Sequence, residues 1–112
     1  MLLKQNRLKK KKDFENISGG QQASGRLLVL KFANNQLDVT RVGFVVSKKV
    51  SKKAVNRNRI KRRMRHTCKN EIPKLNKGVD IVLFAKKNII NSEFVDIDKD
   101  IKQLLNRTNL YV

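Results

Sequence analysis

The residues of this chain best suited to chemistry are the Lys and Arg side chains of residues 48–65, which we call the basic stretch. It holds ten cations in 18 positions and no Asp or Glu. Guanidinium groups donate paired hydrogen bonds to phosphate oxygens, and each ammonium group adds a point charge. Because such a density of like charge is self-repulsive, a polyanion that neutralises it is the simplest partner. Nucleic acid fits best, since each phosphate contact releases condensed counterions.

The acidic residues are poorly arranged for catalysis by the polypeptide itself. Four of the nine acids cluster, between Glu93 and Asp100, where the pattern indicates the surface of an amphipathic helix. His66 has no acid near it in sequence, and together with Cys68 it falls short of the four ligands of a zinc site. We therefore predict no catalytic residue and no metal site in this chain.

Composition narrows the class of protein. A chain of 112 residues, 39% of them hydrophobic, predicts one domain over residues 1–112 with a small core. The single Cys68 cannot form an internal disulfide, which suits a reducing cytoplasm. No apolar run approaches the roughly 18 residues of a membrane span, and the basic stretch lacks the wide apolar face of a membrane-surface helix. With a net charge of +18, we predict a cytoplasmic nucleic-acid-binding domain without a membrane partner.

The periodicity of apolar residues predicts three helices. Residues 8–17 form a short one, with Leu8, Phe14 and Ile17 on one side. Residues 54–69 form the basic helix. Residues 92–107 form the last one, with Ser92 as its N-cap. The predicted apolar stripes of the second and third helices are, respectively, Ile60, Met64 and Cys68, and Phe94, Ile97, Ile101, Leu104 and Leu105.

Alternation predicts three strands, at residues 26–33, 39–47 and 79–86, and hence an α+β fold with helices on a mixed sheet. The short connection between the first two strands predicts that they are antiparallel neighbours. The third is apolar almost throughout and is therefore predicted to be central. Residues 18–25 are rich in Gly and Ser and indicate a loop, while Gly43 suggests a bulge or a close backbone approach.

On a helix with about 100° between successive residues, the cations of the basic stretch occupy two faces. No second helix precedes the basic one at short range, which argues against a helix-turn-helix reader of DNA. We predict contacts with the phosphate backbone of RNA, and duplex DNA stays an alternative. The predicted RNA-binding residues are Lys48, Lys49, Lys52, Lys53, Arg57, Asn58, Arg59, Lys61, Arg62 and Arg65.

The string that starts at Arg41, R-V-G-F-V-V-S-K-K-x4-A-V-x-R-N-R-I-K-R-x-x-R, resembles the signature of the protein subunit of bacterial ribonuclease P. The segment from Arg7 to Phe14, R-L-K-K-x-x-D-F, is similar to the start of that family. The resemblance implies an α/β sandwich in which a mixed four-stranded sheet packs with three helices. It also implies a left-handed βαβ crossover, which the usual right-handed rule would not predict.

The resemblance further implies the role of an endoribonuclease subunit. The holoenzyme removes the 5′ leader of precursor tRNA, and catalysis is expected from the ribonuclease P RNA with Mg²⁺ bound mainly by that RNA. The protein is expected to bind this RNA in a 1:1 complex and to hold the leader in a cleft, without supplying catalytic residues. Phe14 matches the first aromatic residue of that cleft, and Lys31 and Phe32 lie where its first strand offers another. A structural ribonucleoprotein component, such as a ribosomal protein, stays the alternative.

Overall fold

The computed structural model describes residues 4–8, 14, 17 and 20–112. Within them lie four strands, two α-helices and three short 3-10 turns. The strands are β1 (Gln21–Ser24), β2 (Leu28–Asn34), β3 (Arg41–Val45) and β4 (Val79–Ala85). The helices are α1 (Ala54–Glu71) and α2 (Phe94–Arg107), and the turns are Lys4–Asn6, Ile72–Lys74 and Lys87–Asn91.

The four strands form one mixed sheet in the order β1-β2-β4-β3. The predicted central position of β4 is confirmed, because it pairs antiparallel with β2 and parallel with β3. The prediction that β2 and β3 are neighbours is wrong. The first five residues of β4 are buried on both faces, as expected for a strand between two others. β3 is only partly buried and therefore lies at the edge of the sheet. β3, α1 and β4 thus form a βαβ unit, and its left-handed crossover stays a prediction.

β1 lies in the segment predicted to be a loop. It pairs with β2 at the edge of the sheet, from Gln21 opposite Phe32 to Ser24 opposite Val29. Its residues are polar or small and only Ala23 is half-buried, so the strand carries no alternation of apolar and polar residues. The prediction failed because an edge strand that buries almost nothing leaves no periodic signal.

Both helices pack on one face of the sheet, and the main core lies between these layers. Strand residues such as Leu30 and Leu83 meet the predicted apolar stripe of α1, whose Met64 is fully buried. The stripe of α2 is confirmed from Ile97 to Leu105, but Phe94 does not belong to it. The exposed fraction of Phe94 is 41%, and its ring lies beside Arg59 and Arg63 of α1.

The opposite face of the sheet, which we call the second face, carries a smaller cluster. Leu8 and Ile17 are buried there against Val82, with Phe14 and Phe84 half-buried beside them. The predicted shared side of Leu8, Phe14 and Ile17 is confirmed. Phe14 and Ile17 have helical backbone, whereas Leu8, where the helix was predicted to begin, does not, and residues 9–13 and 15–16 lie outside the described residues.

Gly43 lies where the second face is most crowded. A Cβ atom at position 43 would lie 2.7 Å from a ring carbon of Phe14. The pairing of β3 with β4 continues through Gly43 without an extra residue. The predicted close approach is therefore confirmed and no bulge is present. The absence of a side chain makes room for the Phe14 ring.

The C-terminus of α1 and the N-terminus of α2 differ from the prediction. α1 runs two residues beyond position 69, and its last residue, Glu71, is buried and accepts a hydrogen bond of 2.6 Å from the Tyr111 hydroxyl. α2 has Glu93 as its N-cap instead of Ser92, whose hydroxyl donates to the Ile89 carbonyl. The Glu93 N–H in turn donates to the Asp96 carboxylate at 3.2 Å, which fixes the start of α2.

None of the described helices is both long and apolar enough to cross a membrane.

Candidate nucleic-acid interface

The core anchors α1 by one side and leaves its cationic sides outward. Ile60, Met64, Thr67 and Cys68 are buried, as is Glu71 at the end of the helix. Burial raises the pKa of the Cys68 thiol, which therefore stays protonated and serves as core packing. Of the predicted RNA-binding residues on the helix, Asn58, Arg59 and Arg62 are exposed, and Arg57, Lys61 and Arg65 are half-buried.

Arg63 is the exception among the cations of the basic stretch. Its Nε atom donates to Asp98 Oδ1 at 3.1 Å, and its Nη2 atom contacts Asp98 Oδ2. The Thr67 hydroxyl donates to the same carboxylate. Partial burial disfavours the charged carboxylate, but these hydrogen bonds and nearby positive charges outweigh it and hold the pKa of Asp98 below its usual value. Asp98 therefore joins α2 to α1 and neutralises one cation.

Within the described part of the chain, no other cation of the basic stretch has a carboxylate within ion-pair distance. Arg57 uses its guanidinium group to donate to the carbonyls of Ser51 and Lys52, at 2.9 Å each. These bonds hold the loop with Lys48, Lys49, Lys52 and Lys53 against the start of α1, and all four of these lysines are exposed. The loop and the helix thus present exposed cations on a scaffold that these hydrogen bonds and the core hold in place.

Two of the four clustered acids, Asp98 and Asp100, do not form the solvated surface that the sequence predicted, whereas Glu93 is exposed and the Asp96 side chain is 34% exposed. Asp98 binds Arg63, and Asp100 is only 4% exposed. The Asp100 carboxylate accepts the backbone N–H groups of Arg26 and Leu27 at 3.0 and 2.9 Å, which closes the turn between β1 and β2. The prediction failed because these partners are more than 30 residues away in sequence and leave no local pattern.

Of the three residues predicted for the leader cleft, the structure brings two to the same face. Phe14 and Lys31 both belong to the second face, where the Lys31 Nζ atom lies 5.1 Å from the centre of the Phe84 ring. Phe32 lies on the opposite face and packs against the main core, so it does not share a surface with Phe14. Phe84 is the aromatic residue that sequence reasoning missed. The alternation of β4 could have found it, since it puts Phe84 on the same side as Val82.

Most of the carboxylates within the described residues already have partners. Asp80 binds Arg41, with 2.8 Å between its Oδ1 atom and the Arg41 Nε atom, and Glu71 accepts from Tyr111. No group of three or more potential metal ligands occurs in this described part. The described acids therefore do not fit a Mg²⁺ site, because Mg²⁺ needs several oxygen ligands that are grouped and free to coordinate it.

A groove of about 320 Å³ lies between α1 and the start of α2. Four arginines, one histidine and one aromatic residue line it. They are Arg59, Arg62, Arg63, Arg65, His66 and Phe94. Phe94 was predicted to be core, and the sequence held no signal that its ring stands in a cationic groove.

Comparison with known proteins is consistent across sequence and structure. The ribonuclease P family profile matches residues 2–109. The chain is 36% identical over 111 residues to the ribonuclease P protein component of Picosynechococcus sp., covering 98% of this chain and 96% of the relative. It is 38% identical to that of Clostridioides difficile, covering 94% and 93%.

Solved structures give the same result. The ribonuclease P protein of Staphylococcus aureus superposes with a TM-score of 0.88 at 29% identity, covering 96% of this chain and 98% of that one. The ribonuclease P protein from Thermotoga maritima, in complex with 1-(4-fluorophenyl)-2-thiourea, superposes with a TM-score of 0.82 at 31% identity, covering 90% and 98%.

Proposed function

Because this chain belongs to the ribonuclease P protein family, we propose that its basic stretch binds the catalytic RNA of that endoribonuclease. The observation that carries the proposal is a folded cationic surface in which one cation, Arg63, has a carboxylate partner among the described residues. A partner rich in phosphate would remove the mutual repulsion of the remaining cations. In the protein, Arg57 and the core stripe of α1 hold this surface in place before the RNA arrives.

We also propose that the second face of the sheet binds the 5′ leader of precursor tRNA. A single strand is bound well by a cation beside aromatic rings on which bases stack. Lys31 with Phe84, and Phe14 over Gly43, supply that combination. Phe32 lies behind the sheet, so we assign it to the core and leave it out of the proposed cleft.

The protein's share of the reaction is binding and orientation. Mg²⁺, bound mainly by the RNA, would supply the metal chemistry of phosphodiester hydrolysis. The described carboxylates of this chain do not fit that ion, and we assign none of them a role in the cleavage step. We further propose one protein per RNA and a cytoplasmic location, which the charge and the single cysteine favour.

The test adds the purified protein to a bacterial ribonuclease P RNA and follows leader release from precursor tRNA. At low Mg²⁺ and with substrate in excess, we expect the protein to accelerate turnover, because its cations replace part of the screening that Mg²⁺ gives. RNA binding without any gain in cleavage would contradict the proposal and favour a purely structural ribonucleoprotein role.

A matched pair of variants localises the binding surface. Arg59→Gln should weaken RNA binding and lower the slope of log affinity against log salt by about one. Lys99→Gln removes the same charge from an exposed position of α2 and should leave both unchanged. Thermal unfolding of Arg59→Gln should match the wild type, since Arg59 is exposed and has no carboxylate partner in the described chain. Equal losses in both variants would show that net charge alone drives binding.

A further inference from the structure

Phe94 is placed unusually for an aromatic side chain of this protein. All six aromatic residues lie among the described positions, and Phe94 is the one classed as exposed. Its ring does not join either apolar cluster. A ring that is not buried forgoes part of the stabilisation that burial would give, and the contacts of this ring in the free protein are with arginines instead of apolar side chains.

The surroundings of the ring are cationic. The Cζ atoms of Arg59 and Arg63 lie 5.8 and 5.2 Å from its centre, and Arg62, Arg65 and His66 line the same groove. Asp98 fixes Arg63, so one guanidinium group is held beside the ring in the free protein. Arg59 is exposed and free of any carboxylate within the described residues, so it can turn toward a ligand.

We propose that this groove binds an unpaired nucleotide of the RNA partner. The flat base would stack on the Phe94 ring, as unpaired bases do on aromatic side chains in RNA recognition. Its phosphate would meet Arg59 or Arg62. A protein partner fits less well, because a single ring rimmed by arginines offers little apolar area. This inference rests on the proposed RNA binding and adds a specific base-stacking site to it.

The first test uses the fact that the chain contains no tryptophan. Phe94→Trp introduces a single fluorophore into the groove, and Val95→Trp is the matched control, because Val95 is 50% exposed on the next position of α2 and does not line the groove. Each variant is titrated with a bacterial ribonuclease P RNA. Stacking of a base should quench the fluorescence of F94W strongly and that of V95W little. Equal changes in the two variants would overturn the inference.

The second test measures affinity. Phe94→Leu keeps apolar bulk but removes the π-face, and should weaken RNA binding about 5- to 100-fold, as expected for the loss of one stacked base. The salt slope should stay unchanged, because no phosphate contact is lost. Phe94→Tyr should bind like the wild type. An F94L variant that binds as tightly as the wild type would overturn the inference, while a wild-type protein that does not bind this RNA would instead reject the proposed function.

Discussion

Loss of the ion pair between Asp98 and Arg63 should have opposite effects on the stability of the fold and on RNA binding. Asp98→Asn removes the charge that joins α2 to α1 but keeps a side chain of similar size. The two side chains are 23% and 28% exposed, so water screens them and the pair is worth less than a fully buried one. The contact is bidentate and Thr67 adds a third hydrogen bond. We therefore expect D98N to lower the free energy of unfolding by about 1–2 kcal/mol.

Urea unfolding of four proteins measures this contribution. The wild type, Asp98→Asn, Arg63→Gln and the double variant form a double-mutant cycle, which isolates the pair from effects of each side chain on its own. We expect a coupling free energy of about 1 kcal/mol at neutral pH and moderate salt. A coupling near zero would refute the assignment of Asp98 as the link between the helices.

The same substitution should leave RNA binding intact or strengthen it. Without its partner, Arg63 becomes a further free cation beside Arg59 and Arg62, and one more phosphate contact would steepen the salt slope by about 0.7–0.9. Filter binding or anisotropy against a bacterial ribonuclease P RNA at several salt concentrations measures that slope. Weaker RNA binding by a folded D98N protein would contradict the view that Asp98 acts by withholding a cation.

The pH dependence follows from the direction of the Asp98 shift. The pKa of Asp98 in the folded protein lies below its ordinary value of 3.8, so the unfolded chain binds a proton there more readily than the folded one. The stabilisation is therefore complete above about pH 5, well above the unfolded-state pKa, and is lost as pH falls through the lower, folded-state pKa. The difference in unfolding free energy between wild type and D98N should shrink over that acidic range and stay constant from pH 5 to 8.

Three further predictions test the scaffold. Leu104→Ala should cost about 2–4 kcal/mol in urea unfolding through a core cavity, because Leu104 is fully buried, while Val95→Ala on the exposed side of α2 should cost little. Asp100→Ala should cost about 2–5 kcal/mol in the same assay by leaving two backbone N–H groups without an acceptor, and Asp100→Asn should cost less; equal losses would contradict this role. Burial and the hydrogen bond to Glu71 raise the pKa of Tyr111, so above its ordinary value of 10.0 the wild type should lose stability with rising pH faster than Tyr111→Phe does.

The sequence was sufficient for the elements whose burial follows a regular period. The stripe of Ile60, Met64 and Cys68 placed α1 on the core correctly, and with it the outward direction of Arg59 and Arg62. The apolar run of β4 placed that strand at the centre of the sheet. Each of these predictions needed the residue types within one element and nothing beyond it.

The sequence could not predict which secondary-structure elements contact each other. Whether β3 pairs with β2 or with β4 depends on which strand fills the middle of the sheet, and the short connection after Asn34 suggested the wrong answer. The ion pair of Arg63 left no local pattern, because its partner, Asp98, lies on another helix. Phe94 continued the apolar period of α2, but its ring lies beside Arg59 and Arg63 of α1 and outside the core. In each case the deciding contact joins residues that are distant along the chain.

The contacts of the acidic side chains explain how a chain with a net charge of +18 can fold and still keep most cations of the basic stretch exposed to solvent. Asp80 binds Arg41 on the second face, Asp98 binds Arg63 between the helices, and Asp100 accepts two backbone N–H groups. These carboxylates are used within the fold, at positions where they connect elements, and they leave the surface of the basic stretch without negative charge. Stability and RNA binding therefore depend on largely separate sets of charges. Substitutions of these acids should lower the free energy of unfolding, and substitutions of the exposed cations of α1 should lower RNA affinity.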